Sequence, residues 1–157
     1  MKVVIIDYGS GNVKSVSNAL DLVKKDHEII VSNEISVIKE ANFLLLPGVG
    51  SFADCMKGLD SIPGLIQEIK NQALIEKKPF LGICVGMQVL ATIGREDGDH
   101  KGLGFVKGEV KKILATQELK VPHMGWNELL VKKDHKILKH IKSGDHLYFA
   151  NSYHFEC

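Results

Sequence analysis

One cysteine stands where it could act as a nucleophile. In Phe80-Leu81-Gly82-Ile83-Cys84-Val85-Gly86-Met87-Gln88, Cys84 sits between two glycines at the point where an apolar run meets a helix start. A strand-to-helix turn tight enough to push one side chain into the open needs strained dihedrals at its central residue. It also needs very small residues two before and two after. Unpaired N–H groups at the start of the following helix would face the sulfur and favour thiolate over thiol, and chemistry at an acyl carbon is the natural use. The same residues also fit a buried core cysteine flanked by ordinary turn glycines. A second segment bears on that choice. Phe43-Leu44-Leu45-Leu46 reads as a buried strand and stops at Pro47-Gly48-Val49-Gly50, where side chains nearly vanish. Such a loop can cradle an oxyanion on its backbone N–H groups; it also suits a plain strand-to-helix connection.

Together, residues 47–50 and 82–88 resemble the class I, triad-type glutamine amidotransferases, in which a cysteine elbow attacks the side-chain amide of glutamine. Ile5-Ile6-Asp7-Tyr8-Gly9-Ser10-Gly11-Asn12 and Pro122-His123-Met124-Gly125-Trp126-Asn127 narrow the resemblance to the glutaminase subunits of imidazole glycerol phosphate synthase, a histidine-pathway enzyme. The resemblance runs in order through residues 1–157. It implies an α/β fold, with a mostly parallel sheet flanked by helices in a flavodoxin-like three-layer arrangement and antiparallel additions. The expected organisation is one amidotransferase domain, residues 1–157, lacking its C-terminal portion.

The resemblance also implies roles. Cys84 would attack glutamine to give a glutamyl thioester, and the backbone of Val49 or Gly50 and of Val85 would hold the oxyanion. Gly48, Gln88, Asn151, Ser152 and Tyr153 would bind the substrate; Asn151 stands where relatives carry a histidine, so it can donate a hydrogen bond but carry no charge. Residues 8–12, Asn12 among them, and Pro122, His123, Met124, Gly125, Trp126 and Asn127 would meet a barrel-shaped cyclase subunit, the partner that receives the ammonia. Trp126, the sole tryptophan, reads as core from composition alone and as interface from its Gly125-Trp126 setting. In the family a G-x-Q-F-H-P-E type segment supplies the histidine base and its orienting glutamate, beyond the region matching residues 148–157. His154-Phe155-Glu156 mimics that spacing, but strand alternation explains it, and Cys84 is expected to be the only triad member in this chain.

Composition sets the remaining bounds. The 157 residues, 45% hydrophobic and 25% charged, suit one globular domain. A net charge of +1 without a basic cluster gives no footprint for nucleic acid. No apolar run reaches membrane-spanning length and the N-terminus is unlike a signal sequence, so a cytoplasmic protein is expected. Cys55, Cys84 and Cys157 form no C-x-x-C pair, and the seven histidines are scattered, so neither a disulfide framework, a metal nor another cofactor is expected.

The elements that must position these residues follow from periodicity. Strands are expected over residues 2–7, 28–31, 43–46 and 80–84. Helices are expected at Val13, Val16, Ala19, Leu20 and Val23, over residues 35–41, and at Leu65, Ile66, Ile69 and Ala73. That alternation predicts a parallel sheet whose C-terminal strand ends gather residues 8–12, 47–50 and Cys84 on one edge. Gly9-Ser10-Gly11 is an incomplete phosphate loop and reads as a tight turn. Beyond Leu103, Val106, Glu109, Val110 and Ile113 and the runs over residues 128–131 and 147–155 read as antiparallel strands, with no domain boundary. Two readings compete with an active glutaminase: a catalytically inactive truncated form that only binds the cyclase, and a cysteine peptidase or deglycase-like protein. The latter would place a histidine where Val85 stands.

Overall fold

The computed structural model describes residues 1–117 and 120–157. The chain divides into two compact units, Met1–Lys111 with Phe155–Cys157, and Lys112–His154.

In the first unit, β1 (Lys2–Ile6), β2 (Glu28–Ser32), β3 (Phe43–Gly48) and β4 (Phe80–Cys84) form one parallel sheet in the order β2-β1-β3-β4. The helices α1 (Val13–Asp21), α2 (Ile35–Glu40), α3 (Phe52–Asp60) and α4 (Leu65–Lys70) connect them, and α4 runs on into a π-helical turn, Asn71–Ile75. β1 and β3 are apolar on both faces because helices cover both faces. Val3, Ile5 and Leu45 point to the side of α1 and pack with Val13, Val16 and Leu20. By the period of two, Val4, Ile6, Leu44 and Leu46 face the other way; all four are fully buried, as are Ile38, Phe52, Leu59, Leu65 and Ile69 of α2, α3 and α4. The apolar stripe expected on the first helix is shorter than its spacing suggested: α1 ends at Asp21, and Val23 lies beyond it, exposed.

Three expectations along this unit need correction. The segment after the 47–50 loop carries a whole helix, α3, that periodicity did not single out; Ser51 caps it, its Oγ accepting from Asp54 N. β3 runs through Pro47 to Gly48, two residues past the expected end. The C-terminal part of the unit holds the two-residue strands β5 (Ile93–Gly94) and β6 (His100–Lys101). They join β7 (Glu109–Lys112) and β10 (Tyr153–Glu156) in a sheet ordered β10-β7-β5-β6, in which β5 pairs with β7 in parallel rather than antiparallel. The helix after Cys84 is the short α5 (Val85–Gln88).

The second unit is built on an antiparallel pair, β8 (His123–Glu128) with β9 (His146–Asn151). Residues 122–127 thus lie mostly in a strand, and the strand expected over 128–131 ends at Glu128. Beyond Glu128 the segment leading into β9 turns, and Leu129 exchanges hydrogen bonds with Asp145 and Gly144 instead of extending the ladder. The single run expected over 147–155 is two strands broken at Ser152, whose carbonyl accepts from Ile113 N.

Candidate active site

Cys84 is the last residue of β4 and the residue that caps α5, with φ 55° and ψ −122°. That conformation is sparsely populated by non-glycine residues and stores strain of about 1–3 kcal/mol. The turn throws the thiol outward: Cys84 is exposed while its neighbours Val85 and Gly86 are buried. α5 is only four residues long, so what it offers the sulfur is the free N–H groups of its first turn rather than a long helix dipole.

The glycines around the elbow are required by close approach. A Cβ on Gly82 would lie 2.5 Å from the Gly86 carbonyl oxygen, one on Gly86 would lie 1.9 Å from the Leu46 carbonyl oxygen, and one on Gly48 would lie 2.4 Å from Gly86 N. These atoms are backbone and cannot swing aside. The elbow and the end of β3 are therefore a single interlocked backbone packing, with Gly48 directly opposite Cys84 in the parallel ladder. Gly11, at φ 97°, closes the same corner: its Cβ position is 3.0 Å from the Pro47 oxygen. The C-terminal ends of β1, β3 and β4 thus share one edge, as the alternation of elements predicted.

Past Gly48 the loop opens. Val49 is exposed and Gly50 adopts φ 83° with no atom within 4 Å of its Cβ position. Among the described residues neither the Val49 nor the Gly50 N–H donates to a backbone carbonyl, whereas the Val49 carbonyl accepts from Ser10 Oγ at 3.4 Å. Gln88 ends α5, half-buried. Asn12 has a structural task of its own, accepting from Ser15 N as the α1 cap.

The other expected residues belong to the second unit or to the strand that links it to the first. Asn151 Nδ2 donates to the Tyr153 carbonyl, and its Oδ1 is buried without a hydrogen-bond partner among the described residues. His123 lies against Phe149, and Met124 and Trp126 are exposed; Trp126 is 70% exposed and meets Tyr148 edge to face at 5.7 Å. A core placement for the tryptophan is therefore excluded.

Two features near the edge had no signal in the sequence reading. Glu96 Oε2 accepts from Phe52 N at 2.8 Å, tying the first amide of α3, just beyond the 47–50 loop, to a residue 44 positions away. Tyr8, 4% exposed, accepts a hydrogen bond from the buried Cys55 thiol at 3.1 Å, and its ring presses on Gly58. Burial and that bond push the Tyr8 phenol well above its ordinary value, and burial pushes the Cys55 thiol up. Groups whose folded values are raised bind protons more tightly in the native state, so their contribution is complete below the unfolded values, 9.0 for the thiol and 10.0 for the phenol, and is lost as pH rises above them. Stability is expected to fall from about pH 9 upward, and Tyr8→Phe should shrink that fall while lowering stability at neutral pH by about 1 kcal/mol. Urea midpoints for both proteins on either side of the window test this.

Among the described residues no cluster of histidine, cysteine, aspartate and glutamate could hold a metal, and no helix is long and apolar enough to cross a membrane. An exposed thiol on a strained elbow, beside a glycine-rich loop at the edge of a parallel sheet, has the geometry that nucleophilic acyl transfer needs. The chain belongs to the class-I glutamine amidotransferase family, whose family model matches residues 4–156. It is 47% identical over 161 residues to imidazole glycerol phosphate synthase subunit HisH of Rhodospirillum rubrum, covering 99% of this chain and 75% of that protein. The HisH subunit of Aquifex aeolicus is 50% identical over 154 residues, covering 98% and 72%. A crystal structure of a glutamine amidotransferase superposes with a TM-score of 0.70 at 17% identity, covering 99% of this chain and 74% of that one, which speaks to the fold alone.

Proposed function

We propose that this protein is the glutaminase subunit of imidazole glycerol phosphate synthase, acting in the cytoplasm as the amidotransferase half of a heterodimer in histidine biosynthesis. The observation that carries the reading is Cys84 at φ 55°, exposed and opposite Gly48. The identity to HisH subunits supplies the particular synthase. The family match, running through both compact units, supports treating residues 1–157 as one amidotransferase domain.

The Cys84 sulfur attacks the side-chain carbonyl carbon of glutamine, and the carbonyl electrons move onto oxygen. The N–H of Val85, first in α5, and that of Val49 or Gly50 receive the oxyanion, each donor contributing roughly 3–4 kcal/mol. The proton that the thiol gives up passes to the departing nitrogen, so collapse of the intermediate breaks the carbon–nitrogen bond and releases ammonia; water then cleaves the thioester to glutamate and returns the free thiol. Gly48 and Gln88 line the reacting end, and the resemblance to the family assigns the amino-acid end of the substrate to Asn151, Ser152 and Tyr153. No cofactor takes part.

Ammonia released into water would be protonated and lose its nucleophilic lone pair, so a cyclase subunit must receive it. Asn12 and residues 122–127 form the proposed contact, supported by the exposure of Met124 and Trp126. Binding a cyclase should shift the emission of the sole tryptophan to the blue, and Trp126→Ala should weaken the complex by roughly thirtyfold or more, as aromatic anchors do. A complex that forms with unchanged Trp126 emission, and unchanged affinity on its replacement, contradicts this contact.

A further inference from the structure

A second site is marked by charge. A cavity of about 460 Å³ lies between Lys57 and Asp60 of α3, Lys70 of α4 and Lys101 of β6, with Met56 and Ile66 as its apolar wall. That volume falls in the range of about 300–1,000 Å³ typical of small-molecule sites, and none of the residues proposed for the Cys84 site lines it. Among the described residues, Lys57, Lys70 and Lys101 take part in no ion pair. Lys57 stands in the last turn of α3, where it offsets the half negative charge of a helix end, whereas Lys70 is followed directly by the π-helical turn. With Asp60 counted as well, the cavity keeps a surplus of between about one and two positive charges, shared by Lys70 and Lys101. Three lysines from three elements thus line one cavity that holds a single carboxylate, and an anion would balance the remaining charge.

We propose that this cavity binds a phosphomonoester. Its three terminal oxygens match three ammonium donors, where a carboxylate has only two oxygens to give, and its organic part lies against Met56 and Ile66. The inference stands independently of the glutaminase reading, because it uses none of that site's residues.

The test is titration of the protein with ribose 5-phosphate and, separately, with inorganic phosphate, followed by calorimetry and by amide shifts of α3 and β6. Ribose 5-phosphate should saturate below about 10 mM, and each of Lys70→Gln and Lys101→Gln should weaken it roughly tenfold. Asp60→Asn should tighten binding, while Lys14→Gln, on α1, should leave it unchanged. Inorganic phosphate binding as tightly as the ester would overturn the phosphomonoester assignment. So would saturation that survives replacement of all three lysines in a folded protein, or no saturation by either probe.

Discussion

Adding one methyl group at Gly86 should lower the stability of this protein by about 3 kcal/mol, the upper range for overpacking. The new Cβ would sit 1.9 Å from the Leu46 carbonyl oxygen and 3.1 Å from the Pro47 carbonyl carbon. Both belong to the backbone of β3, so no side-chain rotation relieves the clash; the elbow must leave the strand or the strand must leave the sheet. Either movement also undoes the close approach of Gly48 and Gly82. The Gly86→Ala protein should therefore show a lower urea midpoint at unchanged slope, together with loss of selective reactivity at Cys84. A loss under about 1 kcal/mol, the cost of an ordinary helical substitution, would mean that the elbow is not held as described.

Gly50→Val should behave in the opposite sense, sparing the fold and damaging the chemistry. Nothing lies within 4 Å of the Cβ position, so the cost is conformational, the strain of a φ of 83° for a branched residue, about 1–2 kcal/mol. If the loop escapes that strain by turning its peptide, the N–H proposed to hold the oxyanion goes with it. Acylation of Cys84 should then slow by about 10²–10³-fold, the usual effect of losing one oxyanion donor. A variant that acylates at the parent rate would remove the 47–50 loop from the mechanism; one that unfolds would show the loop to be structural.

What could be read in advance followed from local pattern. Unbroken apolar runs marked β1, β3 and β4, and the pairing of Gly82 and Gly86 around Cys84 marked the elbow, because close backbone approach leaves a composition signal. α3 was hidden by its own content: Phe52, Cys55 and Leu59 are its buried positions, and Gly58, needed beneath the Tyr8 ring, weakens the helical pattern. Ser51 with Asp54 three residues on was the available cue. β5 and β6, two residues each, are too short for any period to show. The Glu96–Phe52 and Tyr8–Cys55 contacts join residues more than forty positions apart, and such contacts leave no local trace. Trp126 illustrates the reverse error of composition: a residue type usually buried is exposed here because strand alternation puts it on the open face of β8.

The central claim is that Cys84 alone among the three cysteines is a nucleophile built for glutamine. Cys55 is fully buried, and Cys157 is exposed but has no elbow around it. The most direct measurement is mass spectrometry of the protein after reaction with an electrophilic glutamine analogue, with and without excess glutamine. The modification is expected on Cys84, faster than on Cys157, absent from Cys55, and suppressed by glutamine. Equal modification of Cys84 and Cys157 without protection by glutamine would show an ordinary exposed thiol and would contradict the account.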